Sequence, residues 1–323
     1  MAQSVAAGRV QKPAGRARGS GPDRKQKWKR IRKDWQLYTF LVIPVVYFLI
    51  FKYLPMVGNV IAFRKYVPAK SIFGVKWVGL KYFNMFIQDP SFWHIFLNTI
   101  TLSVETLIFT FPAPIILALL LNELRNLKFK SFVQTASYLP HFVSTVMLVG
   151  IIFEFTASSG PINSLVKAMG GSAVSFMQDP KYFHSVYIIS RVWQSTGWGT
   201  IMYLAALTAV NPDLYEAARI DGANRWKQTL HVTLPGIRPT IVTLLVLSIG
   251  SIMGVSFEQI ILMYNPSTYE TADVISSYVY RIGLTQNSYS YAAAIGLFES
   301  IIGLILVSLA NYLSRKLTDS SLW

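Results

Sequence analysis

The chain has 323 residues, 52% of them hydrophobic and 14% charged, with a net charge of +15 and no cysteine. Soluble domains carry about 25% charged residues, so this composition excludes an ordinary soluble enzyme and reads as a multi-span membrane protein. The missing thiols exclude a disulfide framework, a thiolate metal site and a cysteine nucleophile.

In chain order, residues 1–34 come first and hold 11 of the 30 Lys and Arg. Their text, GRVQKPAGRARGSGPDRKQKWKRIRK, lacks apolar periodicity. It is expected to be a basic cytoplasmic tail, disordered or interfacial, held by anionic lipid. A nucleic-acid arm is the lesser alternative, and no nucleic-acid partner is expected.

Residues 35–323 read as an all-α transmembrane domain. A span needs about 20 mostly apolar residues. Six segments qualify: 35–63, 95–121, 132–153, 185–210, 240–264 and 291–313. The first contains Pro44, Lys52 and Pro55 and is expected to kink near Lys52. The loop at 64–94, with WVGLKYFNMFIQDPSFW, is either an outer docking surface or an interfacial aromatic belt. In the third connection SSGPINSLVKAMGG predicts a turn and a short amphipathic helix ended by Gly170 and Gly171. Lys and Arg number 20 on the side of the tail and 8 on the opposite side. The positive-inside bias therefore places both termini in the cytoplasm.

The most polar stretch of the second half is NPDLYEAARIDGANRWKQTLHVTLPGIRP, residues 211–239. Asn211 suits an N-cap, Pro212 the first helical position, and Asp213 the positive end of the dipole. A first helix is expected over about 212–220. Gly222 provides the left-handed residue that stops it. Asn224 can cap a second helix over about 225–233, with Pro235 and Pro239 ending it before the fifth span. The result is a rigid cytoplasmic knob that a soluble partner can grip.

Glu216-Ala217-Ala218, then Gly222, then nine residues to Val232, Thr233, Leu234 and Pro235, resembles the EAA signature of inner-membrane permease subunits of binding-protein-dependent ABC importers. Val232 stands where isoleucine is usual. FKYLPMVGNVIAF, WVGLKYF, LNTI and VWQSTGWGTIMYLAAL extend the resemblance over nearly everything after residue 35. They are similar to the sugar-type permeases, above all those for oligo- and polysaccharides, alginate among them. The resemblance implies a type I permease fold in the bacterial inner membrane. It implies that Glu216, Ala217, Ala218, Arg219, Asp221, Gly222, Leu234 and Pro235 couple to an ATPase. It further implies a second, non-identical permease subunit, two ATPase subunits that carry ATP and Mg, and an external solute-binding protein. This chain has no GxxxxGK[ST] loop of its own and no evident catalytic set, so it is expected to be neither an ATPase nor another enzyme, with no cofactor and no metal.

Charged groups within spans are costly and face the protein interior or water. Glu105, Arg191, Glu258 and Glu299 are of this kind. Arg191, Gln194, Ser195 and Trp198 fall at helical spacing on one face, with Trp193 beside it. Arginine suits the carboxylate of a sugar acid and indole suits a ring face. The same Arg191 could instead lock two helices through Glu105 or Glu258. The two function classes to separate are an ABC importer permease for an acidic saccharide, working by alternating access, and a stand-alone secondary transporter or channel using the intramembrane carboxylates.

Overall fold

The computed structural model of the chain describes residue 33 and residues 35–73, 76–251 and 257–318. Except for Lys33, the basic tail lies outside the described residues. The chain divides into two compact units, 1–58 and 59–323.

In the first unit α1, Trp35–Phe48, contains Pro44. Helical geometry passes into a π-turn at Leu49–Tyr53, where the Leu54 N–H donates to the Leu49 carbonyl, and then into Leu54–Met56. The wide turn falls at Lys52 and just before Pro55, whose missing N–H cannot complete an ordinary turn. This is the predicted site of irregularity. The apolar side chains of this unit are exposed, Phe40 at 77% and Ile43 at 69%. Such a surface fits hydrocarbon or another chain and not water.

The second unit carries α2 (Lys81–Ile87), α3 (Phe92–Thr110), α4 (Pro112–Glu123), α5 (Leu127–Tyr138), α6 (Thr145–Thr156) and α7 (Pro161–Ala168). Then come α8 (Pro180–Thr208), α9 (Pro212–Ile220), α10 (Arg225–Gln228) and α11 (Leu234–Gly250). Last are α12 (Phe257–Met263), α13 (Tyr269–Ala272), α14 (Ile275–Tyr280) and α15 (Tyr289–Thr318). The described residues form no sheet; an isolated bridge joins Arg64 and Trp77.

Five helical stretches are long and apolar enough to cross a membrane: Tyr38–Phe63, Phe92–Glu123, Thr145–Ala168, Arg225–Gly250 and Tyr289–Lys316. The predicted fourth span lies on α8. At 29 residues it is about 43 Å long, enough to cross a bilayer. It falls short on hydropathy, because Lys181, His184, Arg191 and Gln194 interrupt it. The predicted third span, 132–153, is not one helix. Pro140 lacks an N–H, the chain tightens into a 3-10 turn at Leu139–Phe142, and Ser144 caps a fresh helix by accepting from the Met147 N–H.

The core sits around α8. One apolar cluster joins α8 to α3, α6 and α12 through Phe183, Tyr187, Leu102, Leu148, Ile260 and Met263. Another joins it to α4 and α11 through Tyr203, Leu207, Ala118 and Ile237. Glycine permits these approaches: a Cβ on Gly197 would stand 1.9 Å from the Ser137 carbonyl oxygen of α5. A third cluster, Phe86, Phe92, Ile95, Ile275, Tyr278 and Ile295, packs α2, α3 and α14 against α15. Between α6 and α7 the buried Asn163 amide donates to the Thr156, Ala157 and Val174 carbonyls and accepts from the Val174 N–H at 2.7 Å. The short helix after this turn is the predicted one, closed by Gly170 at φ +86°.

Candidate functional site

Two features stand out: the polar knob of α9 and α10, and a cavity beside α8. In the knob the Asn211 side chain accepts from the Asp213 N–H at 3.0 Å and opens α9. Gly222 has φ +75°, and the Ala223 N–H returns to the Ala218 carbonyl at 2.8 Å. Asn224 then caps α10 through the Lys227 N–H at 2.9 Å. These elements are where the sequence puts them. The end of the second helix is not. Pro235 and Pro239 do not stop it; a π-turn at Thr229–Thr233 carries α10 into α11. The wider turn lets the chain pass Pro235 without its missing donor breaking the helix.

Two side-chain bonds fix the knob. Tyr215 Oη lies 3.0 Å from the buried Thr233 hydroxyl, and Arg225 donates to Glu123 at the end of α4 at 2.9 Å. Glu216, Ala217, Arg219, Asp221 and Gly222 remain exposed, Ala218 half-buried. Leu234 is half-buried and Pro235 exposed at the base. Ile220 is 87% and Trp226 74% exposed.

The cavity has a volume of about 500 Å³ and lies between α3, α4, α8 and α11. Hydroxyls line it: Ser103, Thr106 and Thr110 on α3, Ser195 on α8, Ser248 on α11. Tyr187, Arg191, Gly199 and Met202 complete the α8 wall. Arg191 donates from Nη1 to Gln194 at 3.3 Å and forms no ion pair among the described residues. Its Nε and the Ser103 hydroxyl are buried without a hydrogen-bond partner. A site with one cation, spare donors and many hydroxyls can hold an oxygen-rich anion.

The other predicted path residues stand apart from this cavity. Trp198 stacks on His141 with ring centroids 4.5 Å apart, and Gln194 donates to the Val143 carbonyl at 3.4 Å. Both contact the 139–143 segment. Trp193 is half-exposed. The Arg191–glutamate lock is not formed. Glu105 meets His184 at 2.7 Å, and Glu258 accepts from the Thr145 hydroxyl at 3.0 Å. Glu299 lines a second cavity of about 640 Å³ with Ser276, Tyr280, Tyr289, Gly296 and Ser300. The sequence reading missed the α3 wall. Its signal was the spacing of Thr99, Ser103, Thr106 and Thr110, a hydroxyl stripe at helical period on an otherwise apolar helix.

Comparison with known proteins adds four findings. Residues 110–319 match the family described as binding-protein-dependent transport system inner membrane component. The chain is 45% identical over 294 residues to Protein LplB of Bacillus subtilis (strain 168), covering 91% of this chain and 92% of that one. It is also 45% identical over 305 residues to the polygalacturonan/rhamnogalacturonan transport system permease protein YteP of the same organism, covering 93% and 95%. Among solved structures it is similar to a chain of a bacterial alginate ABC transporter in complex with alginate pentasaccharide-bound periplasmic protein. The TM-score is 0.84 at 42% identity, covering 91% of this chain and 99% of that one.

Proposed function

The chain belongs to the inner-membrane components of binding-protein-dependent transport systems, and from that premise we propose that it is a permease subunit of an ATP-driven importer for acidic oligo- or polysaccharides. The observation that carries the substrate class is Arg191, unpaired with any carboxylate among the described residues and set in a hydroxyl-lined cavity. Alginate and polygalacturonan, named with its relatives, are both chains of sugar acids. Family membership sets aside the stand-alone secondary transporter.

In this reading α8 is the fourth span, which brings the five apolar stretches to six, and both termini and the knob face the cytoplasm. Its low hydropathy is then that of a helix surrounded by protein, with Arg191 turned to a water-filled path. The exposed Ile220 and Trp226, with Glu216 to Gly222, seat in one of two ATPase partners that bind ATP and Mg. ATP-driven closure of those partners moves the knob. The motion passes through the continuous α10–α11 run into the cavity wall, giving alternating access. A second, homologous permease and an external solute-binding protein complete the assembly. Arg191 meets a sugar carboxylate while the hydroxyls of α3 and α11 meet sugar hydroxyls.

The test is uptake by the assembled importer of neutral and acidic oligosaccharides of equal length, with ATP hydrolysis stimulated by the binding protein. Preference for the acidic set supports the proposal. Equal uptake of both sets would remove the assignment of substrate class.

A further inference from the structure

The hydroxyls around the α8 cavity differ in what they have left to offer a ligand. Thr106 donates to the Leu102 carbonyl at 2.6 Å and Thr110 to the Thr106 carbonyl at 2.7 Å. Ser195 donates to the Arg191 carbonyl at 2.7 Å, Ser248 to the Leu244 carbonyl at 2.8 Å, and Ser251 to the Ser248 carbonyl at 3.0 Å. A hydroxyl has one proton and two lone pairs. Each of these five has committed its proton to its own helix and keeps only lone pairs for the cavity that it lines. Ser103 is the exception. It is 4% exposed, lines the same cavity, and its hydroxyl has no hydrogen-bond partner among the described residues.

Bonding of Ser and Thr back to the preceding turn is common in helices and by itself points to no ligand. The arrangement here is more particular. The five acceptors come from α3, α8 and α11 and border one cavity of about 500 Å³, within the range of about 300–1,000 Å³ for small-ligand pockets. Against them stand two donors, the Ser103 hydroxyl and Arg191, whose Nε is also buried without a partner. Two tyrosines on the wall, Tyr187 and Tyr203, are buried within the apolar clusters that hold α8.

We infer that the cavity is an acceptor-lined site for the free hydroxyls of a sugar acid, and that Ser103 is a specificity-determining residue which, with Arg191, donates to the sugar's carboxylate. This rests on the permease reading of the same cavity and narrows its substrate to saccharides whose ring hydroxyls are unmodified. A free sugar hydroxyl can donate into the lone pairs of Thr106, Ser195 or Ser248. Its methyl ether or ester has no proton, so lone pairs would face lone pairs and the polar groups on both sides would lose water without replacing it. A site built on hydrogen bonds to a substrate hydroxyl rejects the analogue that lacks it, whereas an apolar pocket does not.

The experiment is calorimetric titration of the assembled importer, purified without the solute-binding protein so that the permease alone selects. Three forms of one galacturonic acid trisaccharide serve as probes: unmodified, O-methylated on the ring hydroxyls, and carboxyl-reduced. The O-methylated form should bind at least tenfold more weakly than the unmodified form, although the two carry the same charge. Thr106→Val should weaken the unmodified form roughly fivefold, and Thr106→Ser should restore it, a contrast that the bulk of the methyl groups does not produce. Ser103→Ala should weaken the unmodified form on the order of tenfold, leave the carboxyl-reduced form as it was, and keep the melting temperature of the wild type. Equal affinity for the unmodified and O-methylated forms, or unchanged affinity in Thr106→Val, overturns the acceptor wall while the acidic-saccharide reading stands. Equal weakening of the unmodified and carboxyl-reduced forms in Ser103→Ala overturns the role of Ser103. Absence of binding by the unmodified form removes the acidic-saccharide reading and this inference together. If a variant does not fold, the comparison of probes on the wild type still decides.

Discussion

Arg191 and Gly222 are the residues on which single substitutions are most informative. In many membrane proteins an intramembrane arginine is held by a carboxylate, and its removal strands that carboxylate at a cost of about 3–5 kcal/mol. Here Glu105 and Glu258 have other partners. Arg191→Gln is therefore expected to leave the melting temperature near the wild-type value. A hydrogen bond to a charged group contributes about 1.5–3 kcal/mol, so uptake of acidic oligosaccharides should fall on the order of tenfold to a hundredfold, neutral ones changing little. A large loss of thermal stability in this variant would show that the arginine is structural. Gly222 sits at φ +75° with open space around its Cα. A Cβ there would meet no neighbour, yet a valine's backbone would be strained by about 1–2 kcal/mol. Gly222→Val should insert normally but lose coupled ATP hydrolysis, measured as stimulation by the binding protein. Full stimulation would remove the role given to the knob.

At the level of elements, α8 organises the second unit. Gly197 and Gly199 let it approach α5 and α4, where the Thr200 hydroxyl donates to the Pro114 carbonyl at 3.3 Å. A methyl group at position 197 meets backbone, which cannot rotate away. Gly197→Ala is therefore expected to destabilise the chain by about 1–3 kcal/mol, read as a lower melting temperature in detergent. An unchanged melting temperature would mean that α5 is not packed there. The third span and the α10–α11 run show why element ends were only partly legible. Apolar periodicity continues across Pro140 and Pro235 alike. At Pro140 a serine cap four residues on restarts the helix, whereas at Pro235 a π-turn absorbs the missing donor. Which of these occurs depends on what packs beside the turn, and a linear pattern does not contain that.

For the whole molecule, the orientation can be tested directly because the chain lacks cysteine. A single cysteine replacing Asn224 should be labelled by an impermeant reagent only from the cytoplasmic side, and one replacing Ala69 only from outside. Outside labelling at 224 would invert the proposed arrangement. The sequence by itself determined the helical class, the caps of the knob and its Gly222 turn. These depend on composition and on residues within four or five positions of each other, where propensity and capping act. It also determined family kinship, since the Glu216–Pro235 spacing is a local pattern. The tertiary structure alone decided which face of α8 borders a cavity and where its charges go. Arg191, Gln194, Ser195 and Trp198 look like one stripe on a helical wheel, but α8 lines the cavity through Tyr187, Arg191, Ser195, Gly199, Met202 and Tyr203. His184 carried no signal in the sequence at all. Its partners, Glu105 and Thr271, lie 79 and 87 residues away, and side chains that distant meet only because the packed helices bring them together.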